Sequence, residues 1–211
     1  MLKESAKLKR IKKCISLRGG LFLLLSAMTF LLVNCGGDPD IPKPRGYFRI
    51  AFPDKGYRSF DTTYPFSFDY PKYARVVPDT GLQAEPYWVN VDFPTFNGTL
   101  YLSYKKVNNN LVQYFEDTRV FVTKHISKAD DIIPSPITFP ENHVWGVYYT
   151  ITGTGVASTC QFCVTDSTKH FLRGALYFNV RPNNDSLAPV LDFINKDIDR
   201  LISTIKWKSV P

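Results

Sequence analysis

The chain is poor in the residues that usually carry metal and redox chemistry. Of 211 residues only four are Cys and three are His. So little cysteine excludes a disulfide-framed scaffold. With Cys14 in the basic leader and Cys35 just after the apolar run, Cys160 and Cys163 have no second pair with which to close a zinc site. No apolar run reaches the about 20 residues of a bilayer-spanning helix. The longest, residues 21–33 (LFLLLSAMTFLLV), has 13. Gly153-Thr154-Gly155 lacks the strand–turn–helix context of a phosphate loop, and no G-x-S-x-G nucleophile elbow occurs. Charge of one sign is also scarce in the body of the protein. The formal charge is +7, but residues 1–34 hold seven basic residues and one acidic one, hence +6. The other 19 basic and 18 acidic residues leave +1 over 35–211, so no basic face strong enough to drive binding to a phosphate backbone is implied and no nucleic-acid partner is expected. What remains is 44% hydrophobic and 15% aromatic. That suits one globular domain large enough to hold a core without metal or disulfide.

The N-terminus has the form of an export signal. A basic segment, residues 1–18, precedes the short apolar run, as in a secretory leader. The run stops at Leu32-Val33-Asn34-Cys35-Gly36-Gly37, which resembles a bacterial lipobox. Gly, Ala or Ser is the usual residue before the Cys, and Asn34 is a relaxed substitute. A signal-anchor helix over 15–33 is the alternative, and the shortness of the run and its stop at Cys35 weigh against it. The expectation is cleavage between Asn34 and Cys35 and lipidation of Cys35, with each buried CH₂ of the acyl chains adding about 0.8 kcal/mol of membrane affinity. Residues 1–34 are then a lipoprotein signal peptide. Residues 35–46 are a lipidated tether rich in Pro and Gly, and 47–211 form one α+β domain.

Within that domain, Pro and Gly punctuate aromatic and β-branched runs that read as strands. These are Tyr47 to Phe52, Phe66 to Tyr70, Tyr73 to Val77, Trp88 to Phe93 and Leu100 to Tyr104, with a hairpin turn at Asn97-Gly98. Over 110–129 the period changes. Leu111, Phe115, Thr118, Val122, Ile126 and Ala129 stand three or four apart, an amphipathic helix with N-cap candidates at Asn108–Asn110. Pro134, Pro136 and Pro140 argue against regular structure. Residues 143–153, 155–165 and 170–181 read as strands joined by tight turns at 153–155 and 166–168. A second helix is expected over 187–206, from the stripe Leu187, Val190, Leu191, Ile194, Ile198, Leu201, Ile202 and Ile205. Asp185 or Ser186 could cap it, with Pro189 in the first turn. Strands, helix, strands, helix predict an α+β fold: an antiparallel sheet of about six strands with two main helices packed on it. At the level of fold this resembles the PsbP/Mog1 type of sandwich.

Few residues combine into chemistry. Cys160-Gln161-Phe162-Cys163 is a CxxC, but it sits in a strand pattern where positions i and i+3 point to opposite faces. Asp166-Ser167-Thr168-Lys169-His170 holds the residue types of a hydrolase triad, yet adjacency in a turn gives no convergence. Asp166 and Ser167 are expected to bond nearby amides, His170 to sit at the core edge and His125 to be semi-buried and hydrogen-bonded. No catalytic residue, metal site or cofactor is expected.

Pro42-Lys43-Pro44-Arg45-Gly46-Tyr47-Phe48-Arg49-Ile50-Ala51-Phe52-Pro53, just after the lipobox, resembles the gliding-motility lipoprotein D (GldD) family of Bacteroidota. So does Thr165-Asp166-Ser167-Thr168-Lys169-His170-Phe171-Leu172-Arg173-Gly174-Ala175-Leu176-Tyr177-Phe178, and the helix carrying Arg119 and Lys124-His125 fits a third block. The resemblance spans 35–206. It implies an exported lipoprotein of the cell envelope, needed for gliding motility and the associated type IX secretion machinery, with the proteins of that machinery as partners and no enzymatic activity. The outer membrane, periplasmic face, is the expected location, with the inner membrane as the alternative. Arg45, Tyr47, Phe48 and Arg49, dense in charge and aromatic surface beside the tether, are the expected partner-binding residues. Two other classes stay open: a carrier of a lipid or hydrophobic ligand, which would show a large closed apolar cavity, and a redox protein using Cys160 and Cys163, which would place the CxxC at a helix N-terminus.

Overall fold

The computed structural model of the chain describes residue 46 and residues 49–209. Signal peptide, Asn34, Cys35, the tether up to Arg45, and Tyr47 and Phe48 lie outside the described residues. Ten strands and two α-helices are described, and every strand pairing is antiparallel.

The strands are β1 (Tyr57–Phe60), β2 (Phe66–Pro71), β3 (Arg75–Pro78), β4 (Val89–Phe93), β5 (Gly98–Lys106), β6 (Asp131–Phe139), β7 (Val144–Thr152), β8 (Cys160–Thr165), β9 (His170–Phe178) and β10 (Lys206–Trp207). Helix α1 is Leu111–Thr123 and α2 is Asn184–Ser203. Seven strands form one sheet in the order β3-β4-β5-β9-β8-β7-β6. Hairpins build each half, and the nine-residue β5–β9 ladder joins them. Helix α1 carries the chain from β5, inside the sheet, to its far edge at β6. A smaller sheet, β1-β2-β10, brings the C-terminal strand back to pair with β2.

Alternation decides which face each residue serves. On one face Val91, Leu100, Leu172, Leu176, Phe162 and Val164 meet the stripe Ile194, Ile198, Leu201 and Ile202 of α2. Phe66 and Phe68 of β2 complete this main core, and both are almost wholly buried. Burying each such side chain contributes about 1.5–3 kcal/mol. Gly174 makes room here: a Cβ on it would lie 2.2 Å from the Phe162 ring. The opposite face packs on α1 through two smaller clusters, one around Val107, Cys163 and Phe171 and one around Val122, Ile151 and Val156. Over β4 and β5 that face carries Asn90, Asp92, Thr99, Tyr101 and Ser103, polar groups and a half-exposed tyrosine that α1 leaves uncovered.

Several expectations are corrected. Residues 49–56 form no strand. Phe52 instead leaves the chain to stack on Phe193 of α2, with ring centroids 4.6 Å apart, and Pro53 removes a ladder donor. Residues 131–139 are a strand in spite of Pro134 and Pro136. β6 is the sheet edge, and the two prolines, standing two apart, share one backbone orientation on a side with no partner strand. Helix α1 ends at Thr123, not 129. The next turns are i→i−3, with His125 N bonded to Val122 O and Ile126 N to Thr123 O. That tightening keeps the apolar period running past the helix end. The β7–β8 connection runs over 153–159, so β8 starts at Cys160. Helix α2 starts at Asn184, which puts Pro189 inside it, and its N-cap is Asn183 without a side-chain bond.

One local device recurs. Phe93-Pro94-Thr95-Phe96-Asn97 and Phe139-Pro140-Glu141-Asn142-His143 are both 3-10 turns closed by a left-handed residue, Asn97 at φ 51° and His143 at φ 52°. Each sets the register of a long hairpin, β4–β5 and β6–β7.

Candidate functional site

Cys160 and Cys163 are both free and buried. Cys160 faces α2 in the main core, and Cys163 faces α1 beside Val107 and Phe171. Burial pushes the Cys160 thiol up to about 12, with Asp199 adding to the rise and a hydrogen bond with Tyr148 opposing it. Burial likewise raises Cys163 to about 11 against hydrogen bonds from the Val147 backbone and Thr118. A reactive thiol needs the opposite shift.

The Asp166 turn is held by its own carboxylate. Its Oδ1 accepts from the amides of Thr168, Lys169 and His170 at 2.8–3.0 Å. Burial alone would raise this carboxyl, but those donors outweigh it and keep it below the ordinary value. Ser167 takes φ 66°, the left-handed turn position. His170 Nδ1 meets Tyr104 Oη at 2.9 Å, and the His170 ring stacks on Trp207 at 5.2 Å. Burial lowers the His170 pKa; Asp166 opposes that shift and Lys169 adds to it.

A second polar network lies under the end of α1, where sequence reading placed only His125. Its Nε2 is 2.9 Å from Gln161 Nε2, and Gln161 Oε1 accepts from Arg173 Nη2 at 2.9 Å. Gln161 is fully buried. The Phe121 ring covers the Arg173 guanidinium at 4.3 Å. Desolvation, then the Arg173 charge, lower the His125 pKa. Arg173 is lowered too, by burial, and the groups that counter this are the Tyr177 hydroxyl and Cys163 thiol, not a carboxylate. Among the described residues Arg173 forms no ion pair, and its Nε is buried without a hydrogen-bond partner. A half-buried cation without a counter-anion keeps part of its desolvation cost, of which the Phe121 ring returns about 0.5–2 kcal/mol. The signal in the sequence was a lone charge in the apolar run His170 to Phe178, at a position that alternation places beside Cys163 and Ser103.

Arg173 and Phe121 line a groove of about 600 Å³ between α1 and the uncovered part of β5, with Trp88, Lys105, Tyr114 and Lys124 also on its wall. Of the expected partner-binding residues, Arg49 is described and exposed. The chain just after it is pinned down. Lys55 pairs with the buried Asp197 of α2 at 2.6 Å, and Tyr57 Oη donates to the same carboxylate at 2.7 Å. Tyr73 donates to its other oxygen. No described cluster of His, Cys, Asp and Glu could hold a metal ion, and no described helix is long and apolar enough to cross a membrane.

Fold and side-chain geometry define an antiparallel α+β domain whose two described thiols are buried and whose His125 and His170 are hydrogen-bonded. A family model described as gliding motility lipoprotein GldD matches residues 37–207, and the chain belongs to that family. It is thereby a gliding-motility lipoprotein, anchored in the cell envelope. Among curated proteins none matches it. Among solved structures, the solution structure of cyanobacterial PsbP (CyanoP) from Synechocystis is similar, with a TM-score of 0.47 and 11% identity over 76% of this chain and 97% of that one.

Proposed function

We propose that the protein is a non-enzymatic component of the envelope machinery for gliding and the associated type IX secretion, held at the periplasmic face of the outer membrane by acyl chains on Cys35 after cleavage behind Asn34. One observation carries the non-enzymatic reading: the thiols, His125, His170 and Asp166 are each turned to packing or to a local hydrogen-bond network. Against a redox role, Cys160 and Cys163 stand on opposite faces of a strand with raised pKa values. The two grooves against α1 are open to solvent, unlike the closed apolar cavity of a lipid carrier, and this favours assembly. Exposed Arg49, beside Arg45, Tyr47 and Phe48, supports a contact surface next to the tether.

The test is complementation of a deletion strain. Cys35→Ala should accumulate as an unprocessed precursor and fail to restore gliding and secretion. Intact mass and membrane fractionation of the wild type should show acylated Cys35 in the outer membrane. An unmodified Cys35 in an uncleaved chain would sink the anchor. Arg45→Ala with Arg49→Ala should abolish motility with a thermal midpoint unchanged to within about 2 °C. A folded, abundant Cys160→Ser/Cys163→Ser variant that cannot glide would overturn the non-enzymatic reading.

A further inference from the structure

The groove beside α1 combines three features that point to a ligand. Its floor holds the half-buried Arg173 guanidinium, which has no counter-anion among the described residues. Its walls are aromatic, with Trp88, Tyr114 and Phe171 facing the same space as Phe121. Its volume falls in the range of small-molecule sites.

The charges settle the sign of the guest. Lys105 is engaged by Glu85. Lys124 lies over the Phe121 ring at 4.7 Å and forms no ion pair among the described residues. Asp117 is the acidic member of the lining and accepts from Gln113. Arg173 and Lys124 therefore outweigh Asp117. The surroundings also explain why the cation is not already satisfied. Gln161 supplies a single acceptor and is itself committed to His125. Ser103 and Cys163, the cross-strand neighbours of Arg173, carry no charge at neutral pH. A planar fork of donors takes one carboxylate or phosphate in two parallel bonds, and aromatic walls around it reward an apolar body on that anion.

We infer that this groove binds a small organic anion, a carboxylate or phosphate monoester with an apolar body, its head group on Arg173 and Lys124 and its body against Trp88 and Phe121. This goes beyond the assembly role and stands or falls separately from it, because binding is read without motility.

The experiment uses the full-length mature lipoprotein in lipid nanodiscs with its three tryptophans fluorine-labelled, so that Trp88 reports on the groove and Trp145 and Trp207 are internal controls. Probes are benzoate and phenyl phosphate, with benzyl alcohol lacking the charge and acetate and inorganic phosphate lacking the body. The expected result is a saturable shift of the Trp88 fluorine signal with benzoate or phenyl phosphate, the tighter of the two identifying the head group. Trp145 and Trp207 should stay still, and each control should bind at least about tenfold more weakly. Arg173→Gln should weaken the anion about tenfold or more, with partial rescue by Arg173→Lys. If Arg173→Gln does not fold, Lys124→Gln and Phe121→Ala at the exposed rim must each lower affinity severalfold. No Trp88 response to either anion, equal binding of benzyl alcohol, or unchanged affinity in the variants would each overturn the proposal.

Discussion

The substitution Asp197→Asn tests how the start of the domain is held. The carboxylate is buried on α2 and serves three donors from the opposite end of the chain: Lys55, Tyr57 and Tyr73. An amide in its place would keep the shape, lose the charge and turn one acceptor into a donor facing a tyrosine hydroxyl. Removing one member of a buried ion pair costs about 3–5 kcal/mol. Here the Lys55 side chain remains 34% exposed and can rehydrate. Lys55 also keeps the Phe193 ring at 3.6 Å and the Phe193 carbonyl at 3.0 Å. A loss of about 2–3 kcal/mol is therefore expected. For a domain of this size each kcal/mol moves the midpoint by about 2–4 °C, so thermal denaturation by circular dichroism should show a fall of about 4–12 °C. In a double-mutant cycle Lys55→Met should recover part of the loss, because the deserted ammonium is gone. A midpoint shift below about 1 °C, or strict additivity, would refute the view that this carboxylate clamps residues 55–73 to α2.

Single distances and shifts give the other predictions. A Cβ at Gly146 would lie 1.9 Å from the Cys163 carbonyl oxygen, so Gly146→Ala should cost about 3 kcal/mol or more in denaturant unfolding; Gly155→Ala, with nothing within 4 Å, should stay within about 0.5 kcal/mol. The native thiols Cys160 and Cys163, raised by burial, should resist Ellman's reagent at neutral pH and react promptly in guanidinium; prompt native reaction would contradict their burial. His125 and His170 have folded pKa values below the ordinary 6.5, so the native state binds fewer protons than the unfolded chain below that pH. Their contribution is present above pH 6.5 and is lost as the pH falls through their lowered folded values, so the melting midpoint should drop on going from about pH 7 to about pH 5, and less so in His125→Gln and His170→Gln.

Periodicity and punctuation in the sequence determined the elements whose packing is one-sided. The stripe Val190 to Ile202 specified α2 because repeated packing against one core demands a 3.6-residue period. Alternation specified β4, β5 and β9 for the same reason with a period of 2. It also separated Cys160 from Cys163, since neighbours three apart on a strand cannot share a face. Local hydrogen bonding made the Asp166 turn readable, because its donors lie within four residues. Tertiary structure decided the rest. Pro134 and Pro136 fit a strand only because β6 is an edge, a fact held by strand order and not by any local residue. Phe52 left its expected strand for Phe193, more than a hundred residues away. Asp197 found its donors and Arg173 its isolation through the same kind of distant contact. Local pattern reports what each residue's neighbours in the chain require, whereas burial of a charge depends on which surfaces close over it, and those come from elements far apart in sequence.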